Sequence, residues 1–478
     1  MAAAHALGRH VVLIGFMGAG KSTVGEGAAR LLGRPFVDLD RELEDETGSR
    51  VQELFAERGE AEFRELEEEL AVEALADTVP AVVALGGGAV TSERVRESLT
   101  DAALTVWLRV ELDEAWRRAA GPERPLARDE TAFRRLYEQR EPLYATAAGA
   151  HAVDLDDVVL AAAGVHVESG ATARLGALVP GDGPVALVTD PRVAGIHGAN
   201  AQLALGKRLA SVHELPHGEA AKTVAACEAL WEKLALDRTG TIAALGGGCT
   251  TDAAGFAAAA YLRGVPWVPV PTSLVGQVDA AIGGKTALNL PAGKNLVGAF
   301  HWPARTVLDP ALLDTLPAEE RHAGLAEVVK TGLLAGEPLW ELPEPEQVRR
   351  CAAFKAAVCL RDPHDRGDRA ILNLGHTFAH ALEAAAGYAD LGHGRAVALG
   401  LLAALRLSGI DTAAVEETLA PKPVRVDRER AWKALRRDKK AEGGRIRLVL
   451  LERPGVPVWP AELPEEEVRR ALDEIIAS

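Results

Sequence analysis

The glycine-rich segment at residues 15–22, GFMGAGKS, constrains the fold of this chain more than any other feature. It matches the pattern G-x-x-x-x-G-K-[ST]. The apolar run HVVLI at residues 10–14 predicts a strand before it, and residues 23–32 predict a helix after it. In this setting the glycines let backbone N–H groups converge on phosphate oxygens, and the helix N-terminus adds positive potential. The pattern therefore predicts a parallel α/β domain that begins with a phosphate-binding loop.

The use of lysine supports this interpretation. The chain has 41 Arg but only 12 Lys, and Lys21 is the only lysine before Lys207. Arginine does not replace lysine where a compact point charge must enter a phosphate cradle. We expect Lys21 to reach the β- and γ-phosphates of ATP and the Ser22 hydroxyl to hold Mg²⁺. The nucleotide contacts are expected from Gly18, Ala19, Gly20, Lys21, Ser22 and Thr23.

The pattern of strands and helices predicts three units. Further strands are predicted at residues 35–39, 78–85 and 104–110, with helices between them, so the first sheet should be parallel and covered on both faces. A second α/β series begins at Pro184 and continues at Thr241 and Trp267. After about Pro310 no further strand is predicted, and helical patterns rich in Ala, Leu and Glu take over. We place the domains at residues 1–163, 164–309 and 310–478.

Composition excludes several classes of protein. The net charge of −16 offers no basic field for a nucleic-acid backbone. No apolar run approaches the ~20 residues of a membrane helix, and the first residues resemble no secretory signal. The four cysteines form no CxxC pair. We expect a cytoplasmic protein that binds neither nucleic acid nor membrane.

Several polar residues near the phosphate-binding loop are candidates for binding the phosphate acceptor. Asp38 and Asp40 lie two residues apart at the end of the predicted second strand, so both should face the same side and could orient a hydroxyl or a Mg²⁺-bound water. Arg64 lies in an acidic helix, where a plain i,i+4 ion pair is the alternative. The glycines at 86–88 allow close backbone approach. Arg124 lies in a loop, GPERPLAR, suited to a lid.

These segments resemble shikimate kinase over about residues 8–160. The matching stretches are GFMGAGKSTVG, FVDLD, EAEFRELE, LGGGAV, ERPL and REPLY. The resemblance implies phosphorylation of the shikimate 3-hydroxyl by ATP, with Lys21, Asp40 and Arg124 in catalysis and Ser22 and Asp38 serving Mg²⁺. It implies that shikimate is bound by Asp40, Arg64, Gly86, Gly87, Gly88 and Arg140. Another small-molecule kinase, of the nucleoside-monophosphate kinase type, is the alternative, since the loop motif is widely shared.

A second group of residues suggests a metal site. His376 and His380 lie four residues apart, so on a helix they share one face. His393 follows thirteen residues after His380, and Glu327 lies upstream in a helical pattern. One glutamate and two histidines are the ligand count of a catalytic zinc with an open position. Spacing alone does not link Glu327 to the histidines. The alternative to a metal site is that these histidines cap helices or lie on the surface.

Two further features accompany this cluster. The turn GGGCTTDAAGF at residues 246–256 follows a predicted strand and opens a helix, which suits a pyrophosphate, although an ordinary βα turn is equally consistent. Lys222, Lys285, Lys294, Lys330 and Lys355 are five of the twelve lysines. Clustered cations imply an anionic substrate.

Residues 165–478 resemble 3-dehydroquinate synthase through LPHGEAAKT, LGGGCTTDAAGFAAAAYLRG, VPTSLVGQVDAAIGGKTALNLPAGKNLVGAF, TLPAEERHAGLAEVVKTG, RAILNLGHTFAHALE and DKK. The resemblance implies cyclisation of 3-deoxy-D-arabino-heptulosonate 7-phosphate to 3-dehydroquinate with loss of phosphate, and a homodimer formed through this half. It implies Zn²⁺ or Co²⁺ on Glu327, His376 and His393. It implies NAD on Asp190, Glu219, Lys222, Gly247, Gly248, Asp252, Thr272, Ser273 and Thr315. Substrate contacts would come from Arg263, Asp279, Lys285, Lys294, Asn295, Lys330, Lys355, Arg369, Asn373, His380 and a lysine of 439–440, with Lys285, Lys330, Lys355, Arg369, Asn373 and His380 in catalysis.

Two positions depart from that family's pattern. Arg395 stands where an acidic residue usually follows His-Gly, and such a residue would orient the metal ligand. Arg192 stands where Asn is common near the cofactor. Together the two halves predict a bifunctional enzyme of aromatic amino acid biosynthesis, built from a P-loop kinase domain, a Rossmann-like NAD-binding domain and a mostly helical metal-binding domain. The alternatives are an amino-dehydroquinate synthase fused to a kinase, one inactive half that serves as a binding module, and a nucleotide sensor.

Overall fold

The chain forms two compact units. The computed structural model describes residues 5–121, 125–387, 391–438 and 445–477. The two units are Met1–Val165 and His166–Ser478, and each has hydrophobic cores of its own. Within the described ranges, no helix is long and apolar enough to cross a membrane.

The first unit contains a five-stranded parallel sheet in the order β2-β3-β1-β4-β5. Its strands are β1 (His10–Ile14), β2 (Phe36–Asp38), β3 (Val82–Ala84), β4 (Ala103–Leu108) and β5 (Ala150–Ala152). Its helices are α1 (Lys21–Leu32), α2 (Leu39–Thr47), α3 (Val51–Glu57), α4 (Gly59–Ala76), α5 (Glu93–Ala102), α6 (Leu112–Ala119), α7 (Glu130–Ala147) and α8 (Leu155–Ala163).

Helices cover both faces of this sheet. Val12 and Ile14 of β1 pack in one core with Phe133 of α7. On the opposite face, a Cβ built on Gly25 of α1 would lie 3.3 Å from the Leu13 side chain. Because both faces are covered, residues 11–14 of β1 are all apolar, as is usual for buried parallel strands. This arrangement confirms the fold class predicted for the first unit.

The second unit begins with a four-stranded parallel sheet in the order β10-β9-β7-β8. The strands of this region are β6 (Val165–Val167), β7 (Val185–Thr189), β8 (Leu209–Glu214), β9 (Thr241–Gly246), β10 (Trp267–Pro271), β11 (Lys285–Leu290), β12 (Gly293–Phe300) and β13 (Thr306–Leu308). Its helices are α9 (Leu175–Leu178), α10 (Pro191–Val193), α11 (Ala199–Leu205), α12 (Val224–Trp231) and α13 (Gly248–Ala260).

The remainder of the second unit is mostly helical. Its helices are α14 (Ala318–Ala335), α15 (Glu344–Arg361), α16 (His376–Ala385), α17 (His393–Ser408), α18 (Ala413–Leu419), α19 (Arg428–Asp438) and α20 (Glu465–Glu474). A large core joins Phe378 of α16, Leu401 of α17 and Val468 of α20. This packing holds α16 and α17 side by side.

The prediction that strands stop after about Pro310 is wrong. β14 (Arg445–Arg453) and β15 (Val456–Pro464) form an antiparallel hairpin around a turn at Gly455, whose φ is 83°. Ile446 and Leu448 of β14 are buried, whereas Arg445 and Arg447 are exposed, so the segment has strand periodicity. β8 and the hairpin of β11 and β12 were likewise not predicted from the sequence.

Candidate active sites

The loop at residues 15–22 connects β1 to α1. Gly18 and Gly20 have φ angles of 80° and 88°, which glycine adopts without steric cost. The Lys21 Nζ donates to the carbonyl oxygen of Gly15 at 2.8 Å, so the ammonium lies over the loop. The next two residues belong to the first turn of α1. Residues 18–23 thus surround a helix N-terminus, where free N–H groups favour phosphate.

Asp38 and Asp40 do not occupy equivalent strand positions, so the predicted alternation is wrong. β2 ends at Asp38, and Asp40 lies in the first turn of α2. The Asp38 carboxylate accepts a hydrogen bond from the Asp40 N–H at 3.2 Å. Aspartate is a preferred N-cap, which explains why the strand gives way to a helix here. A Cβ built on Gly86 would lie 3.3 Å from the Asp40 Oδ1, so that carboxylate faces the glycines after β3.

Two arginines contact the glycine turn at residues 86–88. A Cβ built on Gly88 would lie 2.2 Å from the Arg64 Nη1, so the missing side chain makes room for the guanidinium. The Arg140 Nη1 donates to the carbonyl oxygen of Gly87 at 3.2 Å. Two guanidinium groups beside an open glycine turn can bind the carboxylate of a small polar ligand.

Glu67 and Tyr144 also belong to this cluster, although neither was predicted from the sequence. Glu67 is only 3% exposed and pairs with Arg64. Burial raises the pKa of Glu67, although the Arg64 charge works against this rise. The Tyr144 hydroxyl donates to the carbonyl oxygen of Gly87 at 2.5 Å. Helical spacing was the available signal, since Glu67 follows Arg64 by three residues and Tyr144 follows Arg140 by four.

The arginine cluster adjoins the phosphate-binding loop. A Cβ built on Gly87 would lie 3.6 Å from the Gly15 carbonyl oxygen and from the Met17 nitrogen. A phosphate donor on the loop and an acceptor on the cluster would therefore be neighbours. Arg124, the predicted lid residue, lies outside the described residues.

The second unit contains a cavity of about 1920 Å³. Most of the predicted residues of this half line it: Asp190, Glu219, Lys222, Gly247, Gly248, Asp252, Thr272, Ser273, Asp279, Lys285, Lys294, Asn295, Thr315, Lys330, Lys355, Arg369, Asn373, His376, His380 and His393. Arg263 is exposed and does not line the cavity. Lys439 and Lys440 lie outside the described residues.

One wall of the cavity is the carboxyl edge of the parallel sheet. Gly247 is the N-cap of α13 and follows β9, while Thr272 and Ser273 follow the adjacent β10. The nearest heavy atom to a Cβ built on Gly247 would be the Ser273 Oγ, 3.7 Å away, so the backbone is open to a ligand. A helix N-terminus at this edge is the usual place for a dinucleotide pyrophosphate.

Polar side chains continue along this edge. Asp190 follows β7 as the N-cap of α10, and its carboxylate accepts hydrogen bonds from the Arg192 N–H at 3.0 Å and the His217 Nδ1 at 3.1 Å. The Thr315 Oγ1 lies 2.8 Å from the His197 Nε2. His197 and His217, which the sequence analysis did not select, also line the cavity.

An ion-pair network crosses the cavity wall. The Lys222 Nζ is 2.5 Å from both Asp252 Oδ2 and Asn295 Oδ1. The Lys294 Nζ lies 2.7 Å from Glu219 Oε1. Burial opposes ionisation of Glu219, but hydrogen bonds, first from Lys294, lower its pKa. These lysines are therefore held in place before any ligand arrives.

A second set of cations surrounds Asp279. The Lys355 Nζ lies 2.8 Å and the Lys330 Nζ 3.7 Å from the Asp279 Oδ1. Burial disfavours the carboxylate, yet these two ammonium groups lower the pKa of Asp279 to about 2. The Arg369 Nη1 donates to the Gly283 carbonyl oxygen at 2.9 Å, and the Lys285 Nζ lies 2.5 Å from an Asp365 oxygen. The groups form a cationic lining suited to phosphate and carboxylate.

Glu327, His376 and His393 converge beside this lining from three helices, α14, α16 and α17. Their donor atoms all lie within 4.8 Å of one another. The Glu327 Oε1 is 3.4 Å from the His376 Nε2 and 3.2 Å from the His393 Nε2. The His376 Nδ1–H donates to the Leu374 carbonyl oxygen at 3.2 Å, which leaves its Nε2 free to ligate. One carboxylate and two imidazoles beside an open cavity fit Zn²⁺.

Glu383 contacts His393, the third candidate ligand, and was not predicted from the sequence. Its Oε1 is 3.4 Å from the His393 Nδ1. Burial opposes protonation of His393, but hydrogen bonds with Glu327 and Glu383 raise its pKa to about 10. The signal was again helical spacing, because His376, His380 and Glu383 follow an i, i+4, i+7 pattern on α16.

Comparison with known proteins identifies the second unit. The family model for the 3-dehydroquinate synthase N-terminal domain matches residues 212–323, and the C-terminal model matches residues 324–441. The 3-dehydroquinate synthase of Bordetella pertussis is 42% identical over 346 residues, which cover 65% of this chain and 95% of that relative. The chain belongs to the 3-dehydroquinate synthase family.

Two solved structures are similar to the synthase part of the chain. A 2-deoxy-scyllo-inosose synthase complexed with carbaglucose-6-phosphate, NAD⁺ and Co²⁺ is 25% identical, with a TM-score of 0.59 over 65% of this chain and 96% of that one. A 2-epi-5-epi-valiolone synthase from Streptomyces hygroscopicus subsp. jinggangensis with bound NAD⁺ and Zn²⁺ is 25% identical, with a TM-score of 0.57 and the same coverage.

The first unit matches a different family. The shikimate kinase model covers residues 17–163. A shikimate kinase domain thus precedes the synthase domains in one chain, and the protein is a bifunctional enzyme of the shikimate pathway, with a kinase and a lyase activity. We refer to the two parts as the kinase unit and the synthase unit.

Proposed function

We propose that the kinase unit transfers the γ-phosphoryl group of ATP to the shikimate 3-hydroxyl. In the synthase unit, 3-deoxy-D-arabino-heptulosonate 7-phosphate would be cyclised to 3-dehydroquinate with release of phosphate. The observation that carries the second assignment is the meeting of Glu327, His376 and His393 at a cavity that also holds a glycine turn and a cationic lining. No other arrangement on the described chain combines a metal donor set with a dinucleotide edge.

In the kinase unit, Lys21 holds the β- and γ-phosphates and the loop N–H groups bind the remaining phosphate oxygens. Ser22 and Asp38 would hold Mg²⁺, which would supply positive charge beside the phosphates. Asp40 orients the acceptor hydroxyl and takes its proton. Arg64 and Arg140 bind the shikimate carboxylate.

In the synthase unit, zinc would supply a Lewis acid for a substrate hydroxyl, and NAD⁺ would supply a reversible hydride acceptor. Glu327, His376 and His393 would hold the zinc, and the turn at residues 247–248 the pyrophosphate. The cationic groups Lys285, Lys330, Lys355 and Arg369 bind the substrate's phosphate and carboxylate. Asn373 and His380 fix its remaining oxygens. Holding one flexible substrate through several steps is mainly a matter of orientation.

Two assays on the full-length chain test the proposal. One supplies heptulosonate phosphate with NAD⁺ and Zn²⁺, and the other shikimate with ATP and Mg²⁺. We expect Lys21→Ala to abolish phosphorylation and leave cyclisation intact. His376→Ala should do the reverse.

The two variants serve as controls for each other, because each changes a residue of only one unit. Cyclisation that survives both His376→Ala and complete chelation would contradict the metal assignment. If the wild-type chain lacks one of the two activities under these conditions, the corresponding unit is a binding module and not an enzyme.

A further inference from the structure

We propose that Glu383 is the positioning residue that fixes the His393 imidazole for the metal; this inference rests on the zinc site of the proposed function. Glu383 lies on α16, one turn beyond His380, and is 5% exposed. His393 is the first residue of α17. The contact between them therefore ties the start of one helix to the side of another.

The two ring nitrogens of His393 face different partners. Its Nε2 is 3.2 Å from the Glu327 Oε1, on the metal side, and its Nδ1 is 3.4 Å from the Glu383 Oε1. A carboxylate at Nδ1 keeps the proton there, orients the ring and leaves the Nε2 lone pair for the metal. Glu383 is not itself a ligand, because the donor atoms that converge belong to Glu327, His376 and His393.

His393 depends on this contact more than His376 does. The His376 side chain is 11% exposed, and its Nδ1 is held by a backbone carbonyl two residues away. The His393 side chain is 40% exposed, so packing encloses it less completely than it encloses His376. Its orientation must come from a side chain on another helix, and Glu383 supplies the acceptor.

Arg395 cannot perform this function. It lies two residues after His393, and its guanidinium donates to the Lys422 carbonyl oxygen at 3.3 Å. A guanidinium has no acceptor for an imidazole N–H. The acidic partner of His393 is therefore supplied from α16 and not from the residue that follows its own glycine.

The test measures metal affinity on the full-length protein without substrate. Zn²⁺ dissociation constants of the wild type, Glu383→Ala and Glu383→Gln are obtained by competition with a chelator, and Co²⁺ absorption spectra report ligand geometry. We expect Glu383→Ala to weaken Zn²⁺ binding by about tenfold to a hundredfold. The Zn²⁺ dissociation constant of Glu383→Gln should lie between those of Glu383→Ala and the wild type, because the glutamine amide oxygen still accepts a hydrogen bond.

Glu320→Gln is the matched control, since Glu320 is an exposed carboxylate on the same cavity. It should leave the dissociation constant and the Co²⁺ spectrum unchanged. Equal Zn²⁺ affinity in the wild type and Glu383→Ala would overturn this inference alone. A wild-type protein that binds no stoichiometric metal would overturn the proposed zinc site and this inference with it.

Discussion

At the scale of single residues, the absence of a side chain on Gly88 makes room for Arg64 in the proposed acceptor site of the kinase unit. The Arg64 guanidinium occupies the volume that a Cβ on Gly88 would need. Gly88 has a φ of −104°, so alanine fits the backbone without strain. A substitution here should displace the arginine tip and leave the fold unchanged.

We therefore expect Gly88→Ala to raise the KM for shikimate by about tenfold to a hundredfold, because a charge-assisted hydrogen bond worth about 1.5–3 kcal/mol is lost. The KM for ATP should change by less than about twofold. Steady-state kinetics with each substrate varied in turn would check this. An unchanged KM for shikimate would refute the placement of Arg64 in the acceptor site.

Asp362 gives a prediction about pH. Its carboxylate accepts hydrogen bonds from the backbone N–H groups of Arg366 at 2.8 Å, Gly367 at 2.8 Å and Arg369 at 3.1 Å. Burial opposes ionisation, but these three donors lower its pKa below the usual range. A lowered pKa in the folded state stabilises the protein above the unfolded pKa of about 4, and this stability is lost as pH falls through the folded pKa.

Asp362→Asn should accordingly destabilise the synthase unit by about 1–2 kcal/mol at pH 7. The difference from the wild type should shrink toward zero as the pH falls below about 4. Urea unfolding of both proteins at a series of pH values would measure it. A difference that stays constant with pH would show that the charge of Asp362 contributes nothing.

At the scale of secondary-structure elements, close helix packing brings the three proposed metal ligands together. A Cβ built on Gly400 of α17 would lie 2.1 Å from the Gly375 carbonyl oxygen, just before α16. A Cβ built on Gly394 of α17 would lie 2.2 Å from the Ala323 carbonyl oxygen of α14. Since these neighbours are backbone atoms, they cannot move aside as a side chain could.

Gly400→Ala should therefore force α16 and α17 apart. We expect a loss of about 1–3 kcal/mol in the free energy of unfolding, as for other overpacked cores. Zn²⁺ should also bind more weakly, because His376 and His393 separate. Calorimetry and chelator competition would measure both effects.

Gly392→Ala is the control for this substitution. Gly392 precedes His393 with a φ of −65°, and a Cβ there would meet nothing within 4 Å. The unfolding temperature of the Gly392→Ala protein should stay close to that of the wild type. A Gly400→Ala protein as stable as this control would contradict the close packing.

At the scale of the whole molecule, the chain carries separate hydrophobic cores in its two units. The kinase core surrounds β1 and α7, while the largest synthase core surrounds α16 and α17. The proposed ligands are likewise divided, with ATP and Mg²⁺ in one unit and NAD⁺ and Zn²⁺ in the other. Each ligand should stabilise the unit that binds it.

We expect calorimetry of the full chain to resolve an unfolding transition for each unit. Zn²⁺ at a hundred times its dissociation constant should stabilise only the synthase unit, by about 2.7 kcal/mol. ATP with Mg²⁺ should raise only the transition of the kinase unit. A single transition raised equally by both ligands would contradict separate unfolding.

The sequence predicted what local periodicity and spacing encode. The glycine loop, the apolar run of β1 and the His376 and His380 spacing need only a few neighbouring residues, and the family resemblance supplied the rest of the proposed site. The hairpin of β14 and β15 was missed because the surrounding Ala/Leu/Glu-rich helices obscured its alternation. Asp40 was misplaced because the capping preference of Asp38 ended the strand earlier than the apolar pattern indicated.

The sequence by itself thus determined that each unit begins with an α/β fold and that the first contains a phosphate-binding loop. It also determined which types of side chain are available for the two sites. Only the tertiary structure decided which groups from separate elements meet: Arg64 of α4 with Gly88 after β3, and Glu383 of α16 with His393 of α17. The physical reason is that these contacts depend on how closely separate elements approach. That approach is set by packing of backbone against backbone and not by any spacing along the chain.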